Sequence, residues 1–435
     1  MEKVSNLNIL IEDFRAVKTA NISIDGITLL AGENGSGKST ISKLIYYLYK
    51  TISNYDFLVG ENLNRELRNV FTFIDISINE VFRNKNDRQI RSELLKELNN
   101  IREDLNYNSP TTIQMNNFLN FITKVQISVR MGNDLDLGIF NRLEFIAKDI
   151  TKKISINDNT KDSFEIIKIY IENCYKEAFG HKNSRSTKIF KNELVDVFHD
   201  SNLPKRFNVY EFGQEIISLT KNNLSIPYFI QNVIYIDTPM MLGIETLEYN
   251  HWDDLNDMIK SSNQNNFTNF SNFISEQIIN GEANYDDNYL TVNDFTFKRS
   301  DGSIFNLLDC ATGIKSFSIL QLLIKNGAIN DKTLLIIDEP ESNLHPQWIV
   351  EYARLIVLLN KEIGMKFLLA SHNPDMVSSI KIIGEKEGIL NQINFYLAKK
   401  HSNFTYDFVN LHQDIDPIFE SFNIAFERIN LYGGE

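Results

Sequence analysis

Only two cysteines, Cys174 and Cys310, occur in 435 residues, far apart and with no CxxC pairing. That excludes a disulfide framework and a cysteine-based zinc site as organising devices, and it points to a reducing compartment, the cytoplasm. Nowhere do about 18 apolar residues follow one another. The opening MEKVSNLNILIEDF has no basic segment leading into an apolar core and a small-residue cleavage site. The expectation is a protein that neither spans a membrane nor is exported through one. Positive charge is in deficit, with 44 Lys+Arg against 57 Asp+Glu and a net charge of -13. The surface is therefore not uniformly prepared for nucleic acid, although a local basic face remains compatible with it. Heptads never persist for three or four repeats, which excludes a long coiled-coil arm, and no internal repeat is evident. The length is enough for two or three units, each with its own core.

What is there begins with ILIEDF, ANISID and ITLLAGENGSGKST, which read as two or three short strands, the last running into a glycine-rich turn. Gly32–Ser39, GENGSGKS, fits G-x-x-x-x-G-K-[ST] at every fixed position. In such a loop the backbone N–H groups of Gly32, Glu33, Asn34, Gly35, Ser36 and Gly37 wrap the phosphates of a nucleotide. Lys38 reaches the β and γ phosphates, the Ser39 hydroxyl binds magnesium, and Thr40 is counted with the nucleotide-binding residues of the loop. The segment TISKLIYYLYK then carries Ile41, Leu44, Ile45 and Leu48 on one helical face. Strand, turn and helix sit where phosphate binding needs them. The motif specifies a nucleoside triphosphate, not the reaction it drives.

The second chemical segment is LLIIDEP, Leu334–Pro340. Four consecutive apolar residues suit a strand buried on both faces of a parallel sheet. Asp338 then lies at the strand's carboxyl end, where it can hold the magnesium shell, and Glu339 can polarise an attacking water. A third segment, KFLLASHNPDMV, gives a strand over Phe367–Ala370 followed by Ser371 and His372. An imidazole there can touch a γ phosphate. A lone histidine after a strand is as often a capping or surface residue; its spacing from Glu339 argues for the site.

Phosphate loop, then CATGIKS (Cys310–Ser316), then LLIIDEP, then a strand ending in histidine: this order resembles the ABC-type ATPase head. Within it, DFRAVKTANISI, DEPESNLHP and ASHNPDMV resemble the RecF, SMC and OLD (overcoming lysogenization defect) group, over residues 1 to about 50 and about 285 to 435. The resemblance implies an α/β fold: a P-loop ABC-type ATPase head, a mixed sheet with flanking helices, carrying a helical insertion. It implies ATP and Mg2+ as cofactors, Lys38 and Ser39 as the Walker A residues, Asp338 and Glu339 as the Walker B pair, and His372 as the switch histidine. Ser342–His345 falls at the D-loop, with Asn343 nearest a partner subunit, and Phe14 and Arg15 fall near the base or phosphates. Gln214 and Gln231 both precede apolar strands, and the Q-loop residue stays open between them. In such heads a signature turn aims a helix N-terminus at the γ phosphate held by the opposite subunit. CATGIKS keeps Gly313 and Lys315, has Ala311 where a serine is usual, and offers the Thr312 hydroxyl one residue on. The implied assembly is a homodimer or higher homo-oligomer sharing its ATP sites.

The middle of the chain reads differently. Residues 1–84 and 206–435 are expected to form the head and 85–205 a helical insertion. RSELLKELNNIREDL, TIQMNNFLNFITKV and FNRLEFIAKDITKKI show apolar residues three and four apart, with breaks expected at NYNSPTT and FGHKNSRSTK. FNVYEF, EIISL and NVIYIDTP return to strands, SSNQNNFTNFSNF reads as a surface helix or loop, and NYLTVNDFTFKRSDGSIFNLL as a hairpin turning at Asp301-Gly302. The basic run His181–Lys191 suits a solvated helix face better than a nucleic-acid contact.

OLD-type proteins often carry a Toprim nuclease. The only late D-x-D here, Asp414 and Asp416, stands close to Glu435, and Asp134 in D-L-D lies in the helical region without a companion acidic strand. A separate nuclease or other effector protein is therefore expected as partner. Compact heads of this kind resemble the ATPase subunits of bacterial antiphage systems such as Septu (PtuA) and PARIS (AriA). A RecF-like DNA-repair ATPase acting directly on DNA is the alternative, and a transporter subunit a more distant one.

Overall fold

The computed structural model describes residues 5–82, 88–107, 109–131, 137–151, 162–238, 242, 250–260, 268–286, 294–420 and 431–432. The chain forms two compact units: Met1–Ser53 with Leu194–Lys221 and Ser225–Glu435, and Asn54–Glu193 with Asn222–Leu224.

The first unit is built on a ten-stranded sheet. Its strands are β1 (Leu7–Phe14), β2 (Val17–Ser23), β3 (Ile27–Ala31), β4 (Arg206–Glu211), β5 (Gln214–Ser218) and β6 (Asn232–Ile236), followed later in the chain by β10 (Thr333–Asp338), β11 (Lys366–Ser371), β12 (Ile393–Lys400) and β13 (Tyr406–His412). The order across the sheet is β5-β4-β1-β2-β13-β12-β3-β11-β10-β6. From β12 to β6 every neighbour is parallel, whereas β5, β4, β1 and β2 form an antiparallel wing. This is the expected mixed sheet with flanking helices. Every residue of β3 and of β10 is buried, as parallel strands covered on both faces must be. β1 alternates buried and half-buried positions instead, the mark of an antiparallel strand with one better-covered face.

The helices of this unit are α1 (Lys38–Ser53), α8 (His251–Lys260), α9 (Thr268–Phe273), α10 (Thr312–Lys325), α11 (Pro346–Ile363) and α12 (Pro374–Lys386). α1 buries Ile41, Leu44, Ile45 and Leu48, the face read from the sequence. α11 is started by His345, whose ring accepts from Gln347 N, with proline in its first turn, and is stopped by Gly364 at φ 78°. α12 is capped by Asn373, whose side chain accepts from Asp375 N and Met376 N. Phe317, Tyr352, Leu335, Ile337 and Phe367 belong to one apolar core between these helices and the sheet. A small second sheet, β7 (Gly281–Asp286), β8 (Asp294–Arg299) and β9 (Ile304–Asn306), contains the expected hairpin with Gly302 at φ 88°. Residues 261–267 of SSNQNNFTNFSNF and 288–293 of the hairpin segment lie outside the described residues; α9 covers the end of the former.

The second unit is helical: α2 (Tyr55–Val81), α3 (Arg88–Tyr107), α4 (Thr112–Met131), α5 (Leu137–Thr151) and α6 (Ser163–Ser184), with α7 (Thr187–Phe198) following. It opens at Asn54, well ahead of residue 85, because α2 buries Leu63, Leu67, Val70, Phe71 and Ile74 in this unit's own core. Phe71 stacks on Phe118 of α4 with centroids 5.3 Å apart. α6 runs through Gly180 and ends only at Arg185, in the left-handed conformation at φ 48°, so the break within FGHKNSRSTK comes at its far end. In the basic run, Lys188 and His181 both pair with Glu177. Asp134 lies outside the described residues. No described helix is long and apolar enough to cross a membrane.

Candidate functional site

The parallel strands deliver their carboxyl ends to one rim of the sheet, the place where open α/β sheets bind ligands. β3 ends at Ala31 and passes into the phosphate loop; β10 ends at Asp338; β11 ends at Ser371, one residue before His372. The registers Ala370↔Leu30 and Asp338↔Ala370 bring these ends level. Gly37 has φ 99°, and a Cβ there would meet Val17 Cγ2 at 2.8 Å, so both conformation and space demand glycine where the loop enters α1.

A cavity of about 490 Å3 is lined by Arg15, Ala16, Asn34–Thr40, Glu339 and Ala370. Lys38 is buried, and its ammonium donates to the carbonyls of Gly32 (2.7 Å) and Glu33 (2.9 Å), which hold it along the loop. Burial pushes this ammonium below the usual lysine range, against the opposing pull of Glu339, Asp338 and Glu341. Arg15 is held at φ 52°, with its guanidinium over the Phe198 ring at 4.9 Å and its Nη2 donating to the Phe198 carbonyl at 2.6 Å. Phe14 is buried with its ring edge-on to the same phenylalanine.

Asp338 is buried and surrounded by donors. Ser42 Oγ donates to Oδ1 at 2.8 Å, Tyr235 OH to Oδ2 at 2.7 Å, and the Ser39 hydroxyl also bonds to it. Burial raises the carboxyl above its ordinary value despite these donors. A hydroxyl and a carboxylate meeting beside the phosphate loop are hard oxygen ligands, the donor set magnesium takes. Glu339 follows at φ 50°, a left-handed conformation uncommon for glutamate, with its N–H donating to Ala370 O at 2.8 Å and Oε2 accepting from Ser342 Oγ at 2.9 Å. His372 Nδ1 stands 3.7 Å from Glu339 Oε1 and 3.4 Å from Glu341 Oε1.

Not every residue singled out in the sequence joins this cavity. Thr312, Gly313, Lys315 and Asn343 do not line it. Thr312 opens α10, behind an Ala311 N-cap that makes no side-chain hydrogen bond, and Lys315 is buried. A Cβ on Gly313 would meet Trp348 Cε3 and Cζ3 at 2.6 Å, so this glycine is what lets α10 lie against the start of α11. Asn343 is exposed at φ 60°. Of the two glutamines, Gln231 precedes β6, and its N–H donates to Lys332 O at the amino ends of the strands, while Gln214 opens the edge strand β5; neither is on the rim.

Three residues at the rim have roles that the motifs did not announce. Asp237 follows β6 beside Asp338, pairs with His251 Nε2 at 3.0 Å, and leaves Oδ1 buried without a hydrogen-bond partner among the described residues. Tyr235 reaches Asp338 from the neighbouring strand. Glu341 sits buried inside DEPESNLHP. Asp237 and Tyr235 could have been found only by knowing that β6 pairs with β10.

The family model described as "AAA domain, putative AbiEii toxin, Type IV TA system" matches residues 27–378. Among solved structures, the Smc head domain of Pyrococcus furiosus, bound to the C-terminal domain of ScpA, is 12% identical with a TM-score of 0.36, covering 96% of this chain and 98% of that one. The SMC head domain of Thermotoga maritima is 12% identical at a TM-score of 0.35, covering 93% of this chain and 98% of that one. The cbiO1 subunit of the ABC transporter complex cbiONQ of Clostridium perfringens is 12% identical at 0.25, covering 55% and 78%. No curated protein matches the chain.

Proposed function

Since the chain belongs to this AAA-domain family, we propose that it binds and hydrolyses ATP at sites shared between two copies, and that the cycle controls a separate effector protein. The observation that carries the reading is the meeting of Lys38, Ser39 and Glu339 around one cavity, with Asp338 bonded to the Ser39 hydroxyl beside it, at the carboxyl ends of β3 and β10 on either side of β11. The backbone N–H groups of residues 34–37 and the positive end of α1 cradle the phosphates. Lys38 exchanges its two loop carbonyls for phosphate oxygens and neutralises their charge. Ser39 and Asp338 would hold a magnesium ion, which would supply charge neutralisation on the phosphates. Ser42 and Tyr235 fix both oxygens of Asp338, so the carboxylate needs no reorganisation during the cycle. Glu339 acts as general base toward the attacking water, and His372 contacts the γ phosphate.

The Thr312, Gly313 and Lys315 turn, outside its own chain's cavity, serves the phosphate held by a second copy, with Asn343 at that same interface. ATP closes the dimer and hydrolysis opens it. The effector is read as a nuclease of an antiphage system, on the strength of the DEPESNLHP and ASHNPDMV segments. Glu339→Gln should lower turnover about a hundred- to ten-thousandfold while leaving ATP affinity within roughly threefold. Wild-type turnover in that variant would remove the general base and with it the hydrolytic reading. ATPase activity stimulated by DNA in the isolated protein would favour direct action on DNA instead.

A further inference from the structure

We propose that Glu341 is a positioning residue for hydrolysis, holding His372 and the Glu339–Asn343 turn in one working arrangement; this rests on the reading of the site as an ATPase. Glu341 is 6% exposed. Its Oε1 accepts the backbone N–H of His372 at 3.1 Å and stands 3.4 Å from that residue's Nδ1. Its Oε2 is buried without a hydrogen-bond partner among the described residues.

A carboxylate is a costly group to bury, and one oxygen accepting one N–H would be served as well by an amide. What an amide could not supply is negative charge beside an imidazole. The same turn carries two left-handed non-glycine residues, Glu339 at φ 50° and Asn343 at φ 60°, each strained by roughly 1–3 kcal/mol. Such strain persists only where the surroundings enforce it. Three links tie this turn to the end of β11: Glu339 N to Ala370 O at 2.8 Å, Glu341 Oε1 to His372 N, and the Ser371 side chain to the Glu341 carboxyl. With Nδ1 turned toward Glu341 and Glu339, at 3.4 and 3.7 Å, the imidazole keeps Nε2 for the phosphate side. The base and the phosphate-contacting histidine then move as one body.

Four proteins test this: Glu341→Gln, Glu341→Asp, His372→Ala and the Glu341→Gln/His372→Ala double variant, each assayed for turnover and for binding of a fluorescent ATP analogue. Glu341→Gln should lower kcat about ten- to hundredfold with affinity within roughly threefold. Glu341→Asp, which keeps the charge, should retain more turnover than Glu341→Gln. The double variant should be no slower than His372→Ala alone, because Glu341 acts through the histidine. Wild-type turnover in Glu341→Gln, losses that multiply in the double variant, or affinity falling in step with kcat would each overturn the assignment. A dead Glu339→Gln beside a fully active Glu341→Gln sinks this inference alone; an active Glu339→Gln sinks the ATPase reading beneath it.

Discussion

Buried charge governs the rim of the sheet residue by residue. Asp338 and Glu341 are both pushed above the ordinary carboxyl range, with burial as the leading cause in each. A carboxyl whose value is raised by folding favours the folded state in its protonated form. That contribution is complete below the unfolded value of about 4.3 and is lost as pH rises through the folded value. Wild-type Glu341 therefore loses this contribution as pH rises, and glutamine, which does not titrate, has none to lose. Glu341→Gln should melt no higher than wild type near pH 4 and higher by on the order of a few °C at pH 7–8, followed by thermal unfolding across that range. A melting difference that stays constant with pH would show that the charge is not what the fold opposes. At this scale the phosphate loop was legible, because its spacing is set by backbone geometry. Glu341 stood in plain sight within DEPESNLHP, but its burial depends on β11 lying alongside.

Among elements, the contact of α10 with α11 carries the most weight for the shared-site model. The family resemblance puts Gly313 in a turn facing a nucleotide, yet Trp348 of its own chain already occupies the space where a side chain would go. Phe317, one turn on, sets its ring edge-on to Trp348 at 5.7 Å and to Tyr352 at 5.1 Å. The turn opening α10 is thereby locked to the helix that follows the Glu339–His345 turn. Gly313→Ala should destabilise the protein by about 1–3 kcal/mol in urea unfolding, the usual cost of overpacking, and Trp348→Leu should recover part of it. Full stability in Gly313→Ala would mean that the indole moves aside freely. The amphipathic face of α1 was readable from its 3.6-residue period, and the buried strands from unbroken apolar runs. The true end of α6 was not readable, because a single glycine such as Gly180 weakens a helix by only about 1 kcal/mol and does not by itself end it.

For the whole molecule, the placement of Thr312 and Lys38 in different surroundings makes a direct prediction. Lys38→Ala disables the loop, and Thr312→Asp places a negative charge at the opening of α10, which the proposed shared site sets against the phosphates of a second copy. Each variant alone should hydrolyse ATP poorly. Mixed, random pairing gives half heterodimers, each with one intact site, and should restore up to roughly a quarter of wild-type ATPase activity. No recovery on mixing would refute a site built from two chains. Thr312→Asp is preferred to a change at Gly313, where the clash with Trp348 would disturb folding as well as the site.

By itself the sequence determined the phosphate loop, the acidic end of β10, the strand ending before His372 and the helical character of the middle. Each is encoded by residues adjacent in the chain, through loop geometry, burial of short strands or helical period. Which strands are neighbours, and hence that Asp237 and Tyr235 stand beside Asp338, came from the three-dimensional packing. It also decided that Glu341 is buried against His372, that Gly313 answers to Trp348, and that α2 belongs with the helical unit from Asn54 onward. These depend on contacts between residues distant in sequence, where hydrogen-bond partners and packing volume, not local pattern, select the arrangement.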